Sequence, residues 1–191
     1  MTQELKINSS IEPTAKWVFS RFERMLAFGL GTGLSPIAPG TVGTLWAWAV
    51  FLLGSYFLSI ESWLWLIACG SLLGCWVCGK VSEELGKKDY GGIVWDEILA
   101  FWLILAIVMP ANLVTQTFAF ALFRFFDAVK PGLIGVIDRH FKNLENQNSI
   151  TPSSPKEILW RGFGIIVDDF AAAFFTLLII VLSQTLLKYF S

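Results

Sequence analysis

The chain holds 191 residues, 55% of them apolar and only 15% charged, with 17 Phe and 9 Trp. A soluble domain carries about 25% charged residues, so this chain has too little polar surface to cover its aromatic bulk, and lipid is the expected solvent for part of it. Disorder and a disulfide scaffold are excluded, and a net charge of −1 lacks the basic excess of a nucleic-acid binder.

Residues 1–24 read as a basic arm carrying Lys6, Lys16, Arg21 and Arg24, expected at a membrane surface or in the cytoplasm. Residues 25–191 are expected to form one helical domain. The apolar run beginning at Met25 breaks at once into GTGLSPIAPG, which is not the pattern of a cleaved signal. The wider loop GLGTGLSPIAPGTVGTL offers the hydroxyls of Thr32, Ser35, Thr41 and Thr44, and its prolines predict a fixed shape. Amides at the start of a following helix can cradle an anion, although the loop is neither a Walker loop nor a dinucleotide fingerprint.

Two apolar arms, Thr44–Ile60 and Trp63–Gly79, flank Glu61 and Ser62 and predict a helical hairpin whose arms are each about 25 Å long. Cys69, Cys75 and Cys78 share the second arm. With a single histidine in the chain they read as buried thiols rather than a zinc or redox motif. The apolar run Ile98–Phe123 is split by Met109, Pro110, Ala111 and Asn112. Its halves, roughly 18 Å each, are too short to cross a bilayer and predict a half-buried hairpin.

Arg124–Asp169 is the most charged stretch, residues 143–155 have the composition of a flexible surface loop, and a last helix is expected from about Phe170 to Leu187. The fold class is therefore all-α, a compact helical membrane protein. The basic residues of the arm, of Lys80–Lys88 and of Arg124–Arg161 belong on the cytoplasmic side, because the Glu61 turn has none.

Asp96 and Glu97 stand where polar chain becomes helix, and Asp168 and Asp169 are expected at the equivalent place before the last helix. Capping explains either pair alone. Two such pairs beside lipid also fit an ion or substrate site, and hard oxygen ligands in this number suit magnesium or manganese. In FRFFDAVKP, Arg124, Asp127 and Lys130 recur every three residues on a common helical face. This is either an ion-paired face or a metal ligand between two phosphate-binding cations. Asp138 and Arg139 form a further candidate pair, which fits a surface salt bridge of little energetic weight equally well. His140 is the only histidine, and the cysteine-phosphatase loop, the aspartyl-phosphate motif and a GxSxG elbow are all missing. Carboxylate, metal and water remain.

Four blocks, GLGTGLSPIAPGTVGTL, YGGIVWDEILAFW, FRFFDAVKPGLIGVIDR and GFGIIVDDFAA, in this order and spacing, resemble the phosphatidylglycerophosphatase A family of bacterial membrane enzymes. The resemblance touches most of the chain from Phe28 to Ala173. It implies a magnesium-dependent phosphatase in the bacterial inner membrane, its site facing the cytoplasm, which converts phosphatidylglycerol phosphate to phosphatidylglycerol. Carried over residue by residue, it puts metal-binding or catalytic acids at Asp96, Glu97, Asp127, Asp168 and Asp169, with a further acid at Asp138. It puts phosphate-binding cations at Arg124, Lys130 and Arg139, and Thr41 is the loop hydroxyl expected beside them. One or two Mg2+ ions and a phospholipid partner follow. The chain departs from the family between Arg139 and Gly162, where about twenty residues ending in Trp160, Arg161 and Gly162 replace a short link ending in HGG. The competing reading is a small ion-coupled transporter or channel in which the acidic pairs bind cations.

Overall fold

The computed structural model describes residues 12–87, 90–132, 135–136 and 154–190, and Asp138, Arg139 and His140 lie outside them. The described residues are all-α. Two short helices, α1 (Ala15–Val18) and α2 (Phe22–Ala27), lead into 3-10 turns over Gly29–Leu34, broken by positive φ at Leu30 and Gly31. Then come α3 (Pro39–Gly54), α4 (Ile60–Leu85), α5 (Trp95–Val108), α6 (Leu113–Val129) and α7 (Pro155–Phe190).

Local chemistry sets most of these boundaries. Pro39 opens α3 at a position where a missing N–H costs nothing. The Ser59 and Asn112 side chains accept from the amides of Ser62 and Thr115 and so cap α4 and α6. Gly86 ends α4 in the left-handed region. The expected arms are present as α3 and α4, which meet near their turn where Phe51 stacks on Trp63 but pack mainly on other helices. The Pro110 break separates α5 and α6, of 14 and 17 residues, with α5 buried in the core rather than half-buried.

Helix α5 is the axis of the molecule. Ile98, Leu99, Phe101, Ile104 and Leu105 are fully buried on all its faces, and α3, α4, α6 and α7 surround it. Indole N–H groups in such a core need acceptors. Trp102 donates to the Ala47 carbonyl (2.8 Å) and Trp95 to the Gly70 carbonyl (3.1 Å), which ties α5 to α3 and α4. On the outer side, Trp48 donates to Gln116 (2.7 Å), whose amide donates to the Ala111 carbonyl, joining α3 to α6.

The largest departure from expectation is α7. It begins at Pro155 rather than near Phe170 and runs 36 residues, about 54 Å. Two physical causes are visible. Ser154 and Glu157 form a reciprocal capping box, Ser154 N–H to the Glu157 carboxylate (2.9 Å) and Glu157 N–H to the Ser154 hydroxyl (3.3 Å). The first half of α7 then packs antiparallel on α4 with backbones almost touching. A Cβ on Gly162 would overlap the Cys75 carbonyl, and one on Gly79 would overlap the Ile158 carbonyl. Asp168 and Asp169 therefore lie inside a helix, where capping by its N-terminus cannot explain them.

Helices α4 and α7 are long and apolar enough to cross a membrane. The segment of α7 from Phe170 to Tyr189 alone spans about 30 Å, the depth of a hydrocarbon core, so the acidic pair stands at its head. Exposed side chains around this part of the molecule are large and apolar, among them Phe57, Trp65, Leu72, Val114 and Leu187. Of the three cysteines Cys78 is buried, Cys75 half-buried and Cys69 exposed, so burial holds for Cys78 but not for Cys69.

The described part of the basic arm packs against the far end of α4. Arg24 donates to Glu84 (2.7 Å) and lies over the Trp17 ring, while Lys80 donates to Glu23 (2.7 Å) and holds that carboxyl below its usual range. Val18, Leu26, Ala27 and Phe28 are buried beneath these pairs. This clip fixes the loop that follows, because the Val94 amide, one residue before α5, donates to the Ala27 carbonyl (2.9 Å).

Candidate functional site

Two glycine-rich loops bring the starts of α3 and α5 together. Gly33 approaches the Gly92 carbonyl so closely that a Cβ on Gly33 would overlap it. Three of the four loop hydroxyls are spent on backbone: Thr32 on the Gly29 carbonyl, Ser35 on the Ile37 carbonyl and Thr44 on the Gly40 carbonyl. Thr41 stands half-buried in the first turn of α3. Beside it, Gly40 lies directly against the Glu97 carboxylate, and a Cβ there would collide with both oxygens. A Gly40→Ala substitution is therefore expected to push Glu97 out of place. Overpacking of this kind destabilises by about 1–3 kcal/mol, read as a lower melting temperature in detergent together with a fall in activity.

Asp96 and Glu97 occupy the first turn of α5, as the sequence suggests. Glu97, Asp127 of α6 and Asp169 of α7 converge so that one carboxylate oxygen from each lies within 4.8 Å of the others. Three helices thus supply one point. Asp96 is buried next to them and is repelled by Glu97 and Asp127. Arg124 is the cation held inside the cluster. Its Nη1 is 3.1 Å from Glu97 Oε2 and 2.8 Å from Asp127 Oδ2, the latter as an i, i+3 pair. Both approaches are ion pairs, and neither meets hydrogen-bond geometry.

The predicted common face of Arg124, Asp127 and Lys130 survives only in its first two members. Lys130 is the C-cap of α6 in a left-handed conformation (φ 46°), and its Nζ is 2.7 Å from Asp168 Oδ2. Consecutive helical residues point about 100° apart, so Asp169 joins the triad while Asp168 faces Lys130. Arg139 lies outside the described residues. Gly40 is what sequence reasoning missed, because its role depends on which carboxylate α5 brings to it.

Electrostatics decides what the cluster can hold. Among the described residues five carboxylates meet two cations, and such an excess of buried negative charge is costly unless something positive compensates it. The oxygens Asp96 Oδ1 and Asp169 Oδ2 are buried and have no hydrogen-bond partner among the described residues. Hard carboxylate oxygens, several to one point and incompletely paired, fit a divalent cation such as Mg2+.

A sequence model of a family described as Phosphatidylglycerophosphatase A matches residues 25–146. The Phosphatidylglycerophosphatase A of Haemophilus influenzae is 34% identical over 160 residues, covering 84% of this chain and 87% of its own length. The protein of the same name from Escherichia coli strain K12 is 31% identical over 148 residues, covering 78% and 75%. No solved structure matches.

Proposed function

The chain belongs to the phosphatidylglycerophosphatase A family, and from that premise we propose that it hydrolyses the terminal phosphate of phosphatidylglycerol phosphate in a Mg2+-dependent reaction. Water and the phosphomonoester give phosphatidylglycerol and inorganic phosphate. The observation that carries this reading is the convergence of Glu97, Asp127 and Asp169 on one point beside Arg124.

In this account Glu97, Asp127 and Asp169 hold the cation, with Asp96 adjoining them. When bound, the cation would draw charge from the phosphoryl oxygens and make water a better nucleophile. The protein's own groups do the rest. Arg124 presents a fixed guanidinium to the phosphate, and Lys130 adds a second positive charge from the end of α6. Arg139 is assigned a similar role from family resemblance alone. The Thr41 hydroxyl and the start of α3 can donate to a phosphate oxygen. A carboxylate outside the tight triad is needed to take the proton of the attacking water, and Asp96 suits this because its buried Oδ1 lacks a described partner.

A lipid substrate agrees with the setting. The acids head the apolar half of α7, and the exposed aromatic and aliphatic surface belongs in acyl chains. Basic residues of the arm and of Lys80 gather at one end of α4, opposite the Glu61 turn, which supports a site facing the cytoplasm of a bacterial inner membrane.

The test is phosphate release from phosphatidylglycerol phosphate in mixed micelles by the purified protein. Release with Mg2+ should fall by about 100-fold or more with chelator and return when Mg2+ is restored. Equal release in both conditions, or none in either, overturns the reading. Cation flux into vesicles without phosphate release would favour the transporter instead.

A further inference from the structure

We propose that Asp168 is a positioning residue that holds Lys130 toward the substrate's phosphate and is not a ligand of the divalent cation. The proposal rests on the phosphatase reading above and separates two adjacent acids that look equivalent in the sequence.

Three observations carry it. First, Asp168 and Asp169 leave α7 in directions about 100° apart, so they serve different neighbours. Asp169 completes the triad with Glu97 and Asp127, and Asp168 Oδ2 takes the Lys130 ammonium at 2.7 Å. Second, Lys130 caps α6 with φ 46° and ψ 55°, directly before Pro131. Glycine takes that conformation without strain, and a side chain before proline is disfavoured outside extended backbone. A lysine in this conformation sets its ammonium against α7 at a cost in backbone strain. Third, Asp168 directly precedes Asp169 in α7, so the ammonium it holds stands at the edge of the acidic cluster. The Lys130 side chain keeps 25% exposure. An ammonium has three donors on a flexible stem, so the bond to Asp168 orients the group while remaining compatible with a contact to a phosphate oxygen.

The experiment compares wild type, Asp168→Asn, Lys130→Gln, the double variant and Asp169→Asn in detergent micelles. It measures steady-state kinetics on phosphatidylglycerol phosphate, and Mn2+ binding by electron paramagnetic resonance without substrate. Asp168→Asn and Lys130→Gln should each raise KM about tenfold with kcat changed by less than about threefold, and neither should weaken Mn2+ binding by more than about twofold. The double variant should fall well short of the product of the two single effects, because Asp168 and Lys130 form one bonded pair. Asp168→Glu should recover part of the loss.

A fall in Mn2+ affinity for Asp168→Asn comparable to that of Asp169→Asn would make Asp168 a ligand and overturn the proposal. Unchanged KM in either single variant, or effects that multiply in the double variant, would overturn it as well. Should Asp168→Asn not fold, Lys130→Gln still decides, since an unchanged KM there removes the role assigned to the ammonium. Failure of the phosphatase reading itself shows differently, as absence of phosphate release by wild type. The Mn2+ comparison then still separates the two acids.

Discussion

Asp169→Asn is expected to lower kcat by about 100- to 1000-fold while raising the melting temperature of the protein in chelator. Asparagine keeps the shape and one oxygen of the side chain, so the packing of α7 against α5 and α6 is retained. What it removes is a buried negative charge that faces Glu97 and Asp127 within 4.8 Å. Without a cation those three carboxylates repel one another, so deleting one charge relieves the apoprotein. With Mg2+ present the wild type gains the free energy of binding and the variant gains less, so the order of the melting temperatures converges or reverses. The kcat measured with Mg2+ and the stability measured in chelator thus move in opposite directions, which a purely structural role for Asp169 would not produce. Turnover within about twofold of wild type would take this acid out of the cation-binding set.

Arg124→Gln should also cost about 100-fold or more in kcat/KM, but with the opposite effect on the apoprotein. Its Nη1 bridges Glu97 and Asp127, and all three side chains are less than one-fifth exposed. Breaking such a pair leaves uncompensated buried charge, a cost of about 3–5 kcal/mol in comparable cases. The melting temperature in chelator should therefore fall, and Mg2+ should restore more stability to this variant than to wild type. Arg124→Lys keeps the charge without the planar fork and should fall between the two. Thermal unfolding of the two variants side by side, with and without Mg2+, separates a cation-binding acid from a compensating cation. Equal shifts of the same sign would contradict both assignments.

The sequence carries much of this arrangement, and the exceptions have physical reasons. Pro110 and Asn112 mark the break between α5 and α6 because each acts through local backbone chemistry. The Arg124–Asp127 pair is equally local, since residues three apart on a helix are neighbours. The start of α7 is harder to read. Arg161, Gly162 and the two aspartates interrupt its hydropathy, so its apolar pattern begins only at Phe170. The signal that does mark the start is the Ser154 to Glu157 capping box, with Pro155 at the first helical position.

Other features depend on contacts between distant segments. Gly162 continues α7 because α4 presents a glycine-lined surface that admits its backbone. Gly40 matters because α5 sets Glu97 against it, and Asp168 differs from Asp169 because α6 ends with Lys130 on one side of α7 only. Spacing within one segment can mark which residues are able to act together. It does not specify which neighbouring helix each of them faces.

The central claim is that Glu97, Asp127 and Asp169 share one divalent cation. Anomalous diffraction from crystals of the protein grown with Mn2+ tests it directly. The account predicts a peak bounded by carboxylate oxygens of these three residues, absent from crystals of Asp169→Asn. A peak elsewhere in the chain, or none at Mn2+ concentrations that support phosphate release, would contradict it.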